Sequence, residues 1–328
     1  MTLIARLGSL LILCAGPAAL AQEPPRPPER ALPGEVDLRP KFEKGQEVRF
    51  KLEMVSSTRQ GGAGKPPAAP TRRPARPPAR SPGTRQPAPE AEEGGDSGPS
   101  SSTVTMGLRL KVVDVSAESG ATVDLVIDTL KAKISAPGLT TEFDSAKPAK
   151  DGDIAGAIFK SIAGQTMTLT VDRAGNITSV KGGEGLAALG QLAGGAAGGK
   201  PGDLFSSIFS PKKTSGKARV GESWENTDTI ESPLMGRFRM VTRHTLTSHR
   251  GGEASIDLRG RLEPSSESGG DEPFTIKGSR HDGRYLWDTR AGMLRRMEST
   301  MSTEIEAKLG EQPTLSRSES KLTITRER

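Results

Sequence analysis

The sequence predicts a mainly β fold of the α+β class: a strongly curved antiparallel sheet, or half-barrel, with one to three short helices over its concave face. Three observations predict it. Apolar and polar residues alternate along many segments, the alternation changes parity inside two of them, and a few short stretches with helical spacing interrupt the series. Alternation with a period of two is typical of strands that bury one face, and a parity change predicts a bulge, which bends a sheet.

The N-terminus has the pattern of an export signal. Arg6 precedes a short, mostly apolar run from Leu7 to Leu20, and Ala19 and Ala21 place small residues where signal peptidase recognises them. The run is shorter than the ~20 apolar residues of a membrane-spanning helix. We therefore expect a signal peptide at 1–21 that is cleaved after Ala21, no transmembrane span, and export to the periplasm or the extracellular space.

Cys14, the one cysteine of the chain, lies inside this run and follows Leu13 rather than the small residue of a lipobox. Lipoprotein anchoring is therefore not expected. Once the signal peptide is removed, no thiol remains, so disulfides, thiolate catalysis and cysteine metal sites are excluded from the mature protein.

Composition predicts disordered segments beside one folded domain, since 3% aromatic residues, 39 Gly and 25 Pro are unusual for a packed globule. Residues 22–36 are predicted to be a Pro-rich tether. Residues 60–102 are rich in Pro, Ala, Gly, Arg and Ser and cannot bury enough apolar area to order themselves. We expect them to be a disordered loop inserted into a single β-rich domain at 37–328.

The formal charge of +6 is accompanied by a cluster of arginines in this loop, namely Arg72, Arg73, Arg76, Arg80 and Arg85. Nucleic acid is not expected as a partner, because an exported chain with so few aromatic residues has little with which to stack bases. The loop is expected either to attach weakly to an envelope protein or an anionic surface, or to be a plain solvated linker.

The first strands show the alternation most clearly. Their apolar positions are Val48, Phe50, Leu52 and Met54, then Val104, Met106, Leu108 and Leu110, and then Val123, Leu125 and Ile127. The apolar parity then changes, to Leu130, Ala132 and Ile134. This change predicts a bulge near Asp128-Thr129, and Val112, Val113 and Val115 indicate another in the preceding strand. Bulges of this kind give a sheet strong curvature.

Three segments have helical character. Isoleucines recur every four residues in 152–163, and Gly164 follows as a stop. A weaker patch covers Leu186 to Leu192, and a short one covers Asp203 to Phe209. The sequence therefore predicts one to three short helices.

Alternation returns after the helical segments. The positions of one parity are Phe238, Met240, His244 and Leu246, and then Ile256, Leu258 and Leu262. Met293, Met297 and Met301 fit a strand or a helix, because a spacing of four suits both, and the Thr and Ser content between them favours a strand. Leu322 and Ile324 mark the last strand.

Two segments predict hairpin turns. Thr170 to Gly175 and Leu286 to Gly292 each end a strand with Asp and restart it after Gly. Gly supplies the positive φ of a tight turn, and Asp can accept hydrogen bonds from the turn backbone.

The order of these segments resembles a family of exported bacterial β-rich proteins of unknown function. The matching segments are 37–53 with Lys44-Gly45, 164–182 (GQTMTLTVDRAGNITSVKG), Val220 to Trp224, and Trp287 to Gly292. The resemblance covers most of 37–326 outside the inserted loop. It implies a fold similar to the half-barrels of lipoprotein carriers and outer-membrane lipoprotein receptors, in which helices cover a concave face that can hold acyl chains. By this resemblance, residues 152–163 and 203–209 would be the covers here. Its motifs are turn and strand signatures, so it implies no catalytic residue.

The chain offers few residues for catalysis or metal binding. His244 and His249 are five apart, on opposite faces of one predicted strand, and no convergent carboxylates accompany them, so neither a metal site nor a cofactor is expected. His244 shares the parity of apolar residues and is predicted to be hydrogen-bonded in the core or at its rim. His281-Asp282-Gly283 is interpreted as a turn. Its His–Asp pair could join a serine in a hydrolase triad, but no Gly-x-Ser-x-Gly motif is present.

These observations favour a non-enzymatic envelope protein, monomeric, whose curved sheet holds or shields a lipid or another hydrophobic molecule. Flexible thioethers suit a ligand of variable shape, although they are more often simply core residues. The candidate ligand-facing residues are Met54, Met106, Phe238, Met240, Met293, Met297 and Met301. The alternative is an interaction protein that acts through its Pro/Arg-rich loop, and an unrecognised hydrolase is the third hypothesis.

Overall fold

In a computed structural model, the chain is described at residues 34–62, 98–116, 120–147, 154–183, 186, 202–211, 215–232, 236–265, 274–308 and 313–328. The strands are β1 (Glu35–Asp37), β2 (Glu47–Gly62), β3 (Ser100–Ser116), β4 (Gly120–Ala136), β5 (Leu139–Asp144), β6 (Thr166–Val171), β7 (Ile177–Lys181), β8 (Lys217–Arg219), β9 (Ser223–Ser232), β10 (Gly236–Arg250), β11 (Glu253–Pro264), β12 (Phe274–Asp288), β13 (Met293–Lys308) and β14 (Pro313–Arg326). Two helices, α1 (Ile154–Ile162) and α2 (Asp203–Phe209), lie between β5 and β6 and between β7 and β8.

Twelve of the strands form one antiparallel sheet, and β1 and β8 pair separately. The order across the large sheet is β7-β6-β4-β3-β2-β14-β13-β12-β11-β10-β9, with β5 also paired to β4. Its edge strands β7 and β9 do not pair with each other in the described part of the chain, so the sheet is not closed. The mainly β, antiparallel fold class predicted from the alternation is confirmed.

Two bulges bend the sheet at the places where the apolar parity changes. Asp128 is an extra residue of β4, because its neighbours Ile127 and Thr129 pair with consecutive residues of β3. Val113 of β3 is likewise skipped by β4. An extra residue turns the following side chains to the other face, which is why Ile127 and Leu130 are both fully buried. Both predicted bulges are confirmed.

The sheet is rolled, because one short segment, 202–211, touches both of its edges. Gly202 is packed so closely on β7 that a Cβ there would lie 2.9 Å from a methyl carbon of Val180. At the other end of the segment, the carbonyl oxygen of Pro211 accepts a hydrogen bond of 3.2 Å from the indole of Trp224 on β9. The two edges are ten inter-strand steps apart, which is about 48 Å in a flat sheet. A ten-residue segment with a two-turn helix spans at most about 20 Å, so the edges must approach each other.

The helices lie where the sequence predicts two of them. Each buries aromatic side chains on the inward face of the sheet: Phe159 of α1 stacks on Phe143 of β5, with ring centroids 5.5 Å apart, and Phe209 of α2 contacts Phe42 at 6.2 Å. Leu186, from the weaker predicted patch Leu186 to Leu192, is buried. The rest of that segment, 187–192, lies outside the described residues.

Both predicted hairpin turns are confirmed with their hydrogen bonds. Asp172 accepts backbone hydrogen bonds of 2.8 Å from Ala174 and Asn176, and Asp288 accepts two, of 3.1 and 3.0 Å, from the backbone of residues 290 and 291. Gly175 and Gly292 have φ of +87° and +57°.

Three sequence-based boundaries are wrong. Residues 35–37 form β1 rather than the end of the tether, because they pair with β8. Residues 60–62 belong to β2 and residues 100–102 to β3, so the expected loop is shorter at both ends. The pairing of β2 with β14 explains the extension, since it continues to Gly62. The remaining segment 63–97, the predicted signal peptide and residues 22–33 lie outside the described residues.

The interpretation of His281-Asp282-Gly283 as a turn is also wrong, since all three residues lie inside β12. Gly283 serves the packing of neighbouring strands instead. A Cβ there would lie 2.7 Å from the carbonyl oxygen of Glu298 on β13. The methionine segment 293–301 is part of β13, as its Thr and Ser content predicts.

The two faces of the sheet differ in chemistry. The inward face holds one large apolar core that also includes the buried side chains of both helices. The outward face carries ion pairs along and between strands, such as Arg109–Asp128 and Arg284–Asp257, at 3.0 and 2.8 Å. Among the described residues, no helix combines the length and apolar character needed to cross a membrane.

Candidate functional site

The side chains on the inward face change from apolar to polar along the strands. We call the end at which β2–β3, β9–β10, β11–β12 and β13–β14 are connected the upper end of the sheet. At the opposite, lower end, the turns of Asp172 and Asp288 join strands, and the fully buried Trp287 and Phe209 lie in the main core. Toward the upper end, polar side chains occupy the inward positions, and a separate apolar cluster lies beyond them.

This second cluster, the upper apolar cluster, is contributed by β9 to β13. Its buried members are Phe238, Met240 and Leu262, and its half-buried members are Ile230, Ile276 and Met301. It is separate from the main core. Half-buried apolar side chains on the inward face provide a surface that a ligand can cover.

A polar layer separates the two apolar regions. His244 is 1% exposed and lies between Trp224 and Tyr285, whose ring centroids are 5.6 and 5.8 Å from its own. The amide nitrogen of Asn226 donates to His244 Nδ1 over 3.2 Å, which leaves Nε2 as the protonated nitrogen of the neutral ring. The prediction of a hydrogen-bonded core histidine is confirmed.

The Tyr285 phenol in this layer stays neutral. Burial raises its pKa well above the ordinary value, and the negative charge of Asp228 adds to the effect. Because a phenolate there would be both desolvated and repelled, Tyr285 is suited to packing and hydrogen bonding and not to nucleophilic or base chemistry.

His281 cannot be oriented by Asp282, its neighbour in the sequence. Adjacent residues of a strand point to opposite faces. Asp282 binds the guanidinium of Arg280 on the outward face, which lowers the pKa of the carboxyl. His281 pairs with Met301 on the inward side of β12. The structure therefore does not form a triad from this His–Asp pair.

The third histidine, His249, does not converge with these two. His249 is exposed and lies 3.2 Å from the hydroxyl of Thr289 at the lower end. Within the ranges that the structure describes, no group of three or more His, Cys, Asp or Glu side chains is placed to hold a metal ion.

Hydroxyl groups line the inward face of the remaining strands at the upper end. Ser56 and Ser102 share a hydrogen bond of 2.7 Å, and Thr303 and Ser318 share one of 2.5 Å. We call this surface the hydroxyl wall. By strand register and alternation its members are Ser56, Thr58, Ser100, Ser102, Ser299, Thr303, Ser316, Ser318 and Ser320.

Sequence reasoning missed the hydroxyl wall, although its signal is present. Ser316, Ser318 and Ser320 alternate with charged residues with a period of two. A search for alternation that counts only apolar residues does not detect such a strand, because small polar side chains occupy its inward positions.

The seven candidate ligand-facing residues separate into two groups. Those packed on or in the main core are Met54, Met106, Met293 and Met297, of which only Met54 is half-buried. Those that meet in the upper apolar cluster are Phe238, Met240 and Met301. The second group lies beside the polar layer and the upper end, so the prediction of a ligand-binding role rests mainly on it.

Comparison with known proteins gives one family match. Residues 118–189 match the model of a family described as a family of unknown function (DUF6263). None of the curated proteins compared with the chain matches it. The matched segment contains β4 to β7 with the Asp128 bulge and the Asp172 turn. It contains no residue of the upper apolar cluster, so this similarity to an uncharacterised family indicates no ligand.

Proposed function

We propose that the protein is an exported, non-enzymatic envelope protein that binds an amphiphilic ligand, such as a lipid, at the upper end of its rolled sheet. The proposal rests on the upper apolar cluster, which lies on the inward face and is separated from the main core by the polar layer around His244. Three of its side chains, Ile230, Ile276 and Met301, remain half-buried and can therefore contact a ligand. An acyl chain lying against Ile276 and Met301 would bury them further.

The hydroxyl wall provides the polar part of the proposed site. Its serines and threonines lie on the neighbouring strands β13, β14, β2 and β3. Hydroxyl groups both donate and accept hydrogen bonds, so they can meet the head group of an amphiphile while its chain lies on the apolar cluster.

The resemblance to lipoprotein carriers and receptors supports the ligand class. In half-barrels of that kind, helices cover a face that can hold acyl chains, and here α1 and α2 bury aromatic side chains on the inward face. The export pattern of residues 1–21 supports a location in the envelope. Resemblance in fold does not specify a ligand, so the binding site itself rests on the residues above.

Lipid extraction tests the proposal on protein purified from its own envelope. We expect mass spectrometry to detect a co-purifying amphiphile, and we expect the purified protein to bind a fluorescent fatty acid saturably. Met301→Gln should weaken that binding about tenfold, because it removes apolar contact worth ~1–2 kcal/mol. Val55→Gln is the matched control, since Val55 is 47% exposed on the outward face and should leave binding unchanged.

Two outcomes would contradict the proposal. One is the absence of both a co-purifying lipid and saturable probe binding. The other is an equal loss of binding in Val55→Gln and Met301→Gln. The non-enzymatic part is tested separately with a panel of esterase and glycosidase substrates, for which turnover sensitive to His281→Ala would overturn it.

A second function, protein capture by the inserted segment, is favoured by one observation. β2 and β3 pair directly as far as Thr58 and Ser100, so the sheet does not need 63–97 to bring these strands together. Replacing 63–97 with a four-residue Gly/Ser turn should keep the unfolding transition intact. Loss of partner capture with retained lipid binding would support this second function, and unchanged capture would eliminate it.

A further inference from the structure

A polar groove of about 470 Å³ opens on the outward face at the upper end, across β2, β14, β13 and β12. Most of its lining residues point outward by strand register, but Thr303 and Ser318 of the hydroxyl wall also line it, so the groove reaches the edge of that wall. Small residues make its floor, namely Ser57, Ser302 and Gly278, and longer charged side chains surround them.

Two arginines face each other in this groove. Arg59 of β2 and Arg317 of β14 are directly opposite in the strand register, and like charges in that position repel. The Arg317 guanidinium is neutralised by Glu304, with an Nε–Oε2 distance of 3.1 Å. Arg59 has no ion pair with any residue in the described ranges. One guanidinium in the groove is therefore left for an external anion.

Another pair of opposing arginines on the outward face has a carboxylate next to each arginine. Arg243 and Arg259 also face each other, between β10 and β11. Acidic residues lie directly beyond them on both sides, Glu225 on β9 and Asp282 on β12. This second pair has carboxylates as cross-strand neighbours and is not among the residues lining the groove, so it provides a natural control.

Gly278 lies beside a bulge of β12, because Lys277 is skipped in the pairing with β13. Its φ is not positive, and a Cβ built there would meet nothing within 4 Å. By contrast, Gly283 of the same strand is required by the close approach of β13. Glycine inside a strand often marks a bulge or a close approach by a ligand or another backbone, and the two are compatible here. Here the missing side chain keeps the floor of the groove open.

We infer that the groove binds a single phosphate group between the guanidinium groups of Arg59 and Arg317. The fork of a guanidinium matches the oxygens of a phosphate, and an anion between the two arginines would remove their repulsion. The Ser57 and Ser302 hydroxyls are further donors at the floor. Glu304 and Glu319 also line the groove and disfavour a polyanion, so one phosphate group is the fitting ligand.

An NMR titration of the purified protein with inorganic phosphate, at constant ionic strength, tests the inference. We expect saturable shifts of the Gly278 amide. Arg59→Ala should weaken binding about tenfold, as expected for loss of a charge-assisted hydrogen bond. Gly278→Val should abolish binding and leave the unfolding temperature unchanged, since its side chain enters open space.

The control is Arg243→Ala, which removes the same charge from the outward face and should leave phosphate binding unchanged. The absence of saturable shifts, a Gly278→Val protein that still binds, or an equal loss in Arg243→Ala would each overturn the inference.

Vesicles containing phosphatidylglycerol distinguish the source of the phosphate group. Competition between vesicles and phosphate assigns the site to a lipid head group, and phosphate binding without competition assigns it to a free phosphate compound.

Discussion

The indole of Trp224 stacks on the imidazole of His244, with ring centroids 5.6 Å apart and planes 8° from parallel. The two residues are cross-strand partners of β9 and β10. The same indole donates a hydrogen bond to Pro211, next to α2. The stack therefore joins the edge strand β9 to the segment that spans the opening of the rolled sheet, at the boundary between the main core and the polar layer.

Replacing His244 tests how much this stack contributes to the free energy of unfolding. We expect His244→Ala to lower the free energy of unfolding by about 2–4 kcal/mol, because it leaves a cavity between two rings and removes a partner from Asn226. Urea unfolding measures the change. His249→Ala is the control, with an expected change below about 0.5 kcal/mol since His249 is exposed. Equal effects of the two substitutions would show that the stack contributes no specific stability.

The fold could be predicted largely because its main signals are local. A single extra residue at Asp128 changes the parity of the apolar positions, and this change is visible without knowing the partner strand. Asp172 and Asp288 are similar cases, because their hydrogen bonds are formed within four residues of the sequence.

The candidate site could be predicted only in part, because it depends on contacts across the sheet. Phe238, Met240 and Met301 could be named from their alternation, but their separation from Met106 and Met297 depends on strand order. The sequence predicts a turn at His281 because Asp-Gly is a common turn sequence. In the structure, Gly283 is needed instead because β13 lies too close to β12 for a Cβ at this position. The local pattern contains no information about that distance.

Asp288 should make stability depend on pH in acid. Burial raises the pKa of its carboxyl, but hydrogen bonds from the Ala291 backbone and the Arg326 guanidinium outweigh burial and lower the pKa below the ordinary 3.8. The ionised carboxylate therefore stabilises the fold above about pH 4, and the contribution is lost as the pH falls through the folded pKa. We expect Asp288→Asn to cost about 1–2 kcal/mol at pH 7 and progressively less below about pH 4.

Urea unfolding of both proteins between pH 7 and pH 2.5 measures this difference. Asp282→Asn is the control, because Asp282 also has a lowered pKa but its partner Arg280 is 77% exposed, so solvent screens the pair and the substitution should change stability little at any pH. A deficit of Asp288→Asn that stays constant down to pH 2.5 would rule out the ionised carboxylate as its cause.

Gly175 should be much less tolerant of alanine than Gly45, although both have nearly the same backbone conformation, with φ of +87° and +84°. At Gly45 nothing lies within 4 Å of the new Cβ, so only backbone strain of about 1–2 kcal/mol is expected. At Gly175 the Cβ would overlap the carbonyl oxygen of Phe209, and the end of α2 must move. We expect a loss above about 3 kcal/mol in thermal or urea unfolding, and equal losses at the two sites would show that α2 is not packed against this turn.

Deleting Asp128 should be tolerated where deleting Asp124 from the same strand is not. Without Asp128, Ile127 and Leu130 keep their partners on β3 and both still point inward, because the bulge residue alone is lost. The expected cost is about 1–3 kcal/mol, from reduced curvature and the lost ion pair with Arg109. Without Asp124, either the residues before it or those after it must slip by one position, which turns their buried side chains outward.

Both deletions remove one residue and one negative charge, so they differ mainly in where register is lost. Far-UV circular dichroism and urea unfolding should show a cooperative β protein for the Asp128 deletion and no cooperative transition for the Asp124 deletion. A cooperative Asp124 deletion would mean that the bulge migrates along β4 to restore register. In that case the change of parity at Asp128 would not fix the curvature, and the rolled shape would have to depend on the contacts of 202–211 with the two edges.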